Sequence, residues 1–289
     1  MQRRTIIMLS AKRCGSTAIF RMFQKHPEVG VCHVDQHMKN WEPNFWNLGA
    51  KAVDGCPEKF LSRFGESHPF LHFPEKFTEE SLFRLWDDIL EELGPVVFDK
   101  SPQYLGDKRA FALLKRYMDK DNDVRLFALI RDPRDAITSQ YERWKGLVED
   151  DSPKRREMDW LEKYRHLEEL QRELAGIPLF QYEDFSSAPS CYAPILLRHC
   201  GCSVVPQSYD HIKPTSIGRY SASILPAIRR WRFDEEFKRH LENYGYRSPQ
   251  LSFSERVNVT VRLLKGNLKR EMRSMRRGKR SLKNQSPPG

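Results

Sequence analysis

A short apolar run that breaks at a glycine turn and resumes as an amphipathic helix constrains this chain more than any other feature. Thr5-Ile6-Ile7-Met8-Leu9 is β-branched and apolar, the composition of a strand covered on both faces. Ser10 to Thr17 follows with small residues, one glycine and the cations Lys12 and Arg13. Ile19, Phe20, Met22 and Phe23 then fall at helical spacing. A helix that begins at Gly15-Ser16-Thr17 aims N–H groups lacking intrahelical partners into the turn, which suits an anion. The spacing is not that of the Walker loop, GxxxxGK followed by Ser or Thr, because Ser16 stands where its lysine belongs. The basic residues precede the glycine instead.

The same alternation continues. Strand-like runs near 5–9, 95–99, 124–130 and 178–182 alternate with helical patterns near 16–25, 77–93, 105–119, 133–146 and 154–174. This predicts an α/β fold with a parallel sheet flanked by helices on both faces. A chain of 289 residues suffices for one large domain, placed at 1–254. Residues 47–75 have weak periodicity and read as a loop-rich insertion.

A second strand-to-helix unit carries the next motif. Val124 to Ile130 runs into Arg131-Asp132-Pro133-Arg134-Asp135-Ala136-Ile137-Thr138-Ser139-Gln140-Tyr141, with Asp132 as helix cap and Pro133 in the first turn. Together with Arg13-Cys14-Gly15-Ser16-Thr17 and His26-Pro27, this segment resembles the nucleotide-binding motifs of sulfotransferases that use 3′-phosphoadenosine 5′-phosphosulfate. The family's second motif has the form RxPxxRxxSxY. Arg131, Pro133, Ser139 and Tyr141 match it, whereas Ala136 falls at the place of the second arginine, with Arg134 and Asp135 just before it. Asp99-Lys100-Ser101-Pro102-Gln103-Tyr104-Leu105 resembles the family's EKSPxYL segment, whose lysine and serine face the transfer site. Ile177 to Phe185 resembles the strand ending in YEDL, with Glu183 and Asp184 expected to cap the next helix. Thr215 to Tyr220 is similar to the loop that closes over the nucleotide. The resemblance spans roughly residues 5 to 247 and implies a P-loop-like sheet.

The resemblance assigns roles by position. Lys12, Arg13, Cys14, Gly15, Ser16 and Thr17 would form the cofactor-binding turn, in which the N–H groups of Gly15, Ser16 and Thr17 and the two hydroxyls hold the 5′-phosphate. Arg131 and Ser139 would hold the 3′-phosphate, and Gly218, Arg219 and Tyr220 belong to the closing loop. Arg13 aligns with the catalytic cation, Lys12 is the adjacent candidate, and Lys100, also catalytic, would reach the bridging oxygen or the acceptor from a neighbouring strand end. Sulfuryl transfer needs in-line geometry and positive charge where negative charge develops. A sulfate ester carries less charge than a γ-phosphate, so no metal is required, and no compact carboxylate, His or Cys cluster demands one. Met38 to Trp46 resembles the KEPxFF segment of bacterial and glycan members, which makes Glu42 the expected general base. Asp35, His33 and His37 compete for that role. Trp41, Phe45 and Trp46 form either core or a sugar-stacking platform. The expected acceptor is a carbohydrate hydroxyl or amine.

Six cysteines (14, 32, 56, 191, 200 and 202) lack zinc spacing and read as reduced thiols. No signal peptide or membrane-length apolar run is evident, so a cytoplasmic protein is expected. Of the net charge of +10, residues 255–289 carry +9. Val259, Leu263, Leu264, Leu268 and Met272 lie along one helical face there, so this tail reads as a basic amphipathic helix or a solvated, partly disordered segment. Its candidate partners are an anionic membrane surface or a polyanion, with no specific nucleic acid. Two other classes stay open. A phosphate-loop kinase or hydrolase would require magnesium, and a non-catalytic polyanion binder on this fold would survive loss of Arg13 or Glu42.

Overall fold

Strand β1 (Arg4–Ser10) is the centre of the sheet because its sequence leaves it no other place. Ile6, Ile7, Met8 and Leu9 have no exposed surface, so both faces and both edges must be covered. The structure is a computed structural model that describes residues 3–32, 42–65, 68, 70–144, 151–174, 176–214, 217–223 and 225–246. It divides into two compact units, at 1–215 and from 216 onward. The expected boundary at 254/255, and the tail beyond it, lie outside the described residues.

In the first unit β1 leads to α1 (Ser16–Gln24), β2 (Gly30–Val31), α2 (Phe45–Val53), α3 (Glu58–Phe64) and α4 (Glu79–Leu93). Then come β3 (Val96–Lys100), α5 (Lys108–Met118), β4 (Asp123–Ile130), α6 (Pro133–Trp144) and α7 (Pro153–Glu173). Strand β5 (Leu179–Gln181), α8 (Tyr182–Ser187) and α9 (Pro189–His199) complete it. All strand pairs are parallel, in the order β2-β3-β1-β4-β5. The second unit contains α10 (Arg219–Ala222), α11 (Pro226–Arg230) and α12 (Glu235–Asn243). Its core is aromatic, with Trp231 packed on Phe233 and Phe237.

Helices cover both faces of the sheet, as the pattern predicts. Ile6 pairs with Phe98 and Met8 with Phe127, so both rings lie on one face. Phe23 of α1 stacks on Phe98 at 4.3 Å and tilts against Phe127 at 6.2 Å. Thr5 faces the other side, where Trp86 of α4 donates its indole N–H to the threonine hydroxyl at 2.9 Å. Helix α4 starts on a reciprocal cap between Thr78 and Ser81, and α5 on the Asp107 carboxylate.

The region expected to be a loop-rich insertion contains two helices instead. Helices α2 and α3 form because Phe45, Trp46, Phe60 and Phe64 are all fully buried and interlock edge to face or stacked. Their short lengths and the burial of most α2 positions blur the helical period. Phe45 and Trp46 are therefore core, packed against Trp86, rather than a sugar-stacking platform. Trp41 lies outside the described residues.

Candidate active site

The central strands β1 and β4 are neighbours whose onward connections diverge. β1 leads toward β2 on one side of the sheet, and β4 leads toward β5 on the other. Divergent connections open a crevice at the C-terminal strand ends, where the backbone leaves room for a ligand. Both sequence motifs start at that crevice. The turn after β1 runs through Lys12, Arg13 and Cys14 to Gly15, and Arg131 follows β4 directly.

The two motifs are hydrogen-bonded to each other. Arg131 Nη1 donates to the carbonyl of Arg13 at 3.0 Å, and Arg13 Nε donates to Ser139 Oγ at 3.0 Å. Gln140, next along α6, donates from Nε2 to the carbonyl of Lys12 at 3.1 Å. These contacts hold Arg13 at φ 71°, a left-handed conformation that costs a non-glycine residue about 1–2 kcal/mol. Gly15 sits at φ 88°, and a Cβ there would lie 2.1 Å from the Tyr182 ring. Only glycine fits that approach. Helix α1 begins without a side-chain cap, so its first-turn N–H groups are not claimed by a capping residue. Ser16 is buried beside the turn and Thr17 is exposed.

Arg131 and Ser139 are buried at the start and middle of the second motif. The Arg131 guanidinium lies 5.2 Å from the centre of the Tyr182 ring and 3.5 Å from Asp135 Oδ2. Asp135, one place before the missing second arginine of the family pattern, thus faces the motif's own Arg131. Arg134 does not replace the family's second arginine, because it folds onto Asp132 at 2.7 Å. Asp132 also caps α6 through the N–H of Arg134 at 2.9 Å. The hydroxyls of Ser10 and Thr138 are buried here without a hydrogen-bond partner among the described residues. A turn of this composition, with uncapped helical N–H groups, buried hydroxyls and two arginines, fits a phosphorylated nucleotide.

Cys14 is fully buried, and burial pushes its thiol up to about 12, so it is an inert packing residue. Glu183 behaves otherwise than expected. Rather than capping the next helix from its N-cap, it lies in the first turn of α8 and accepts the N–H of Asp132 at 3.0 Å. Burial raises its carboxyl to about 7, against the opposing pull of that N–H and of Arg131.

The other half of the site hangs from β3. Lys100, buried at the strand end, places Nζ 3.1 Å from Glu42 Oε1. The carbonyl of Glu42 accepts from Arg63 Nη1 at 2.9 Å and from Asn44 Nδ2 at 3.3 Å. Ser101, expected to face the transfer site, is fully buried. Its Oγ accepts the Asn44 N–H at 2.9 Å and donates to Asp99 at 3.2 Å. It fixes the loop that presents Glu42 instead. Asp99 also receives the Tyr104 hydroxyl, and burial lifts its carboxyl to about 7. His33, Asp35 and His37 lie outside the described residues. Gly218, Arg219 and Tyr220 open α10 in the second unit, with Gly218 at φ 77°.

Sequence reasoning named Arg13, Arg131, Ser139, Lys100 and Glu42, but not Tyr182 as the wall of the turn or Gln140 as its strap. Both contacts span more than a hundred residues, so only parallel pairing of β5 beside β4 and the packing of α6 reveal them.

Among the described residues no helix is long and apolar enough to cross a membrane, and no three His, Cys, Asp or Glu side chains gather as a metal site. No protein-family model matches the sequence, and no curated protein matches it. Solved structures do. The sulfotransferase domain of the Synechococcus PCC 7002 olefin synthase matches with a TM-score of 0.60 at 15% identity, over 86% of this chain and 96% of that one. The sulfotransferase domain from the curacin biosynthetic pathway matches with a TM-score of 0.59 at 15% identity, over 86% and 99%. With a five-stranded parallel sheet in the order β2-β3-β1-β4-β5 among the described residues and two hydrogen-bonded strand-to-helix motifs at its divergent strand ends, the chain has the sulfotransferase fold.

Proposed function

We propose that this chain is a sulfotransferase that moves a sulfuryl group from 3′-phosphoadenosine 5′-phosphosulfate to an acceptor hydroxyl or amine, on a carbohydrate. One observation carries the reading. Arg131, Arg13 and Ser139 are joined by two 3.0 Å hydrogen bonds at the crevice between β1 and β4. That linkage supports the reading because a nucleotide bearing phosphates at both ends needs two anion-binding groups close together, and the start of α1 and the Arg131–Ser139 pair are so joined.

The donor supplies an activated sulfuryl group whose bond to the 5′-phosphate breaks as the acceptor bonds to sulfur, the phosphate keeping the electron pair. The residues of the chain do the rest. Backbone N–H groups of Gly15, Ser16 and Thr17 hold the 5′-phosphate, and Arg131 with the Ser139 hydroxyl holds the 3′-phosphate. Arg13 meets negative charge that develops on the sulfuryl and bridging oxygens. Glu42 takes the acceptor proton, and Lys100 fixes the direction of that carboxylate through the 3.1 Å ion pair. A carboxylate base is what favours a carbohydrate acceptor, since the aromatic residues Phe45 and Trp46 are committed to the core.

Calorimetric titration with 3′-phosphoadenosine 5′-phosphate in the absence of magnesium, with ATP and ADP titrated with and without magnesium as controls, tests the reading. Binding of the 3′-phosphorylated nucleotide that weakens at least tenfold in Ser139→Ala is expected, as about 1.4 kcal/mol corresponds to tenfold. A preference for ATP with magnesium would overturn it in favour of a kinase or hydrolase.

A further inference from the structure

Glu183 is an acidic side chain beside the donors of the site, and unlike Asp132 and Asp135 it has no arginine in an ion pair with it among the described residues. Its Oε1 occupies the Asp132 N–H at 3.0 Å, at the N-terminal end of α6, where a phosphate would also be favoured. Its other oxygen, Oε2, is buried without a hydrogen-bond partner among the described residues. The neighbouring residue Tyr182 fills the space against Gly15 and lies under the Arg131 guanidinium. The carboxylate is therefore built into the wall between the two motifs. Resting on the function proposed above, we infer that nucleotide binding is coupled to proton uptake at Glu183, which acts as a positioning residue and an internal counter-anion.

The electrostatics follow from what surrounds the carboxyl. Arg131 attracts the ionised form, and Asp132, itself held by Arg134, repels it. Cys14, on the turn, stays a neutral thiol. Burial already sets the group at about 7. A nucleotide adds negative charge on the Arg131 side and diverts that cation to phosphate. Both changes disfavour the ionised carboxylate, so its affinity for a proton rises. The bonds to Asp132 N–H and Tyr182's packing do not depend on the proton, which leaves the geometry intact. Linkage is reciprocal, so the nucleotide binds more tightly when Glu183 is neutral. A one-unit rise on binding weakens the nucleotide about tenfold on passing from the acid to the alkaline side of the titration.

The nucleotide's own phosphates and Asp99 also titrate, so the comparison that matters is between wild type and Glu183→Gln. The glutamine keeps an oxygen acceptor for Asp132 N–H and removes the charge. Titrations with 3′-phosphoadenosine 5′-phosphate at pH 7, in buffers of different ionisation enthalpy, count protons taken up on binding. We expect uptake by the wild type that exceeds the E183Q value, with affinity of the variant losing its extra decline between pH 6 and 8. Equal uptake in both proteins would overturn the inference while leaving the nucleotide reading intact. Absence of binding by the wild type would overturn both. Should E183Q fold poorly, wild type against Asp99→Asn makes the same decision, because uptake that vanishes with Asp99 refutes Glu183 as its source.

Discussion

The two halves of the site were built by different physics. The half proposed to hold the nucleotide, from Ser10 to Thr17 and from Arg131 to Gln140, is a backbone device: a left-handed glycine, an uncapped helix start and side chains that strap one motif to the other. The half proposed to meet the acceptor, from Glu42 to Phe64 and from Asp99 to Asp107, is a packing device. There Phe45, Trp46, Phe60 and Phe64 form an aromatic cluster from which a short loop and its carboxylate hang. A backbone device needs particular residues at particular spacings, because only glycine tolerates φ 88° beside Tyr182 and only a few side chains bind phosphate. A packing device accepts any set of large apolar residues that fills the volume.

That contrast predicts separable failures. The largest effect belongs to the packing half. Trp46→Ala removes a fully buried indole in contact with Trp86, Phe83 and Tyr117, and should cost about 3–5 kcal/mol of stability in denaturant unfolding. Nucleotide affinity of the fraction that remains folded should stay within about twofold, since none of the turn's straps comes from α2. A large loss of affinity without loss of stability would show that the two halves are not separable.

A change at the tip of the packing half should touch chemistry alone. Glu42→Gln keeps the loop's anchors, which run through the Glu42 carbonyl and the Asn44 N–H. Transfer should fall about a hundredfold to ten-thousandfold, the range for losing a general base, with binding of 3′-phosphoadenosine 5′-phosphate unchanged. Retention of most of the rate would move the base to His33, Asp35 or His37.

The legibility of the sequence follows the same division. Strands β1, β3, β4 and β5 stand close to where their apolar runs place them, as do α1, α4, α5, α6 and α7, because each shows its period over enough residues. The two-residue strand β2 has no period to show, and α2 hides its own by burying most of its positions. Glu42 and Lys100 were each legible as chemistry, yet their 3.1 Å pairing was not, since 58 residues separate them. Glu183 was legible as an acid near a helix start. Which helix it serves depends on β5 lying beside β4, and no local pattern encodes that.

The dependence of stability on pH sharpens the comparison further. Asp99 lies beneath the acceptor half, fully buried, receiving Ser101 and Tyr104, with its carboxyl raised from 3.8 to about 7 by burial. A raised carboxyl means that the native state holds a proton which the unfolded chain has already released. Between about pH 4 and 7 the native state therefore binds more protons than the unfolded one, and stability falls as pH rises through that window. Glu183 contributes in the same direction from 4.5 to about 7 on the nucleotide side. Asp99→Asn should flatten the part of the slope that begins near pH 4, and Glu183→Gln the part that begins near 4.5. Nucleotide should extend the wild-type dependence above pH 7 by more than that of Glu183→Gln, because the nucleotide's own phosphates titrate in both proteins while the Glu183 carboxyl answers the added charge in the wild type alone. If Asp99→Asn abolished the nucleotide-dependent part instead, the proton would belong to the packing half, and the electrostatic division between the two regions would fail.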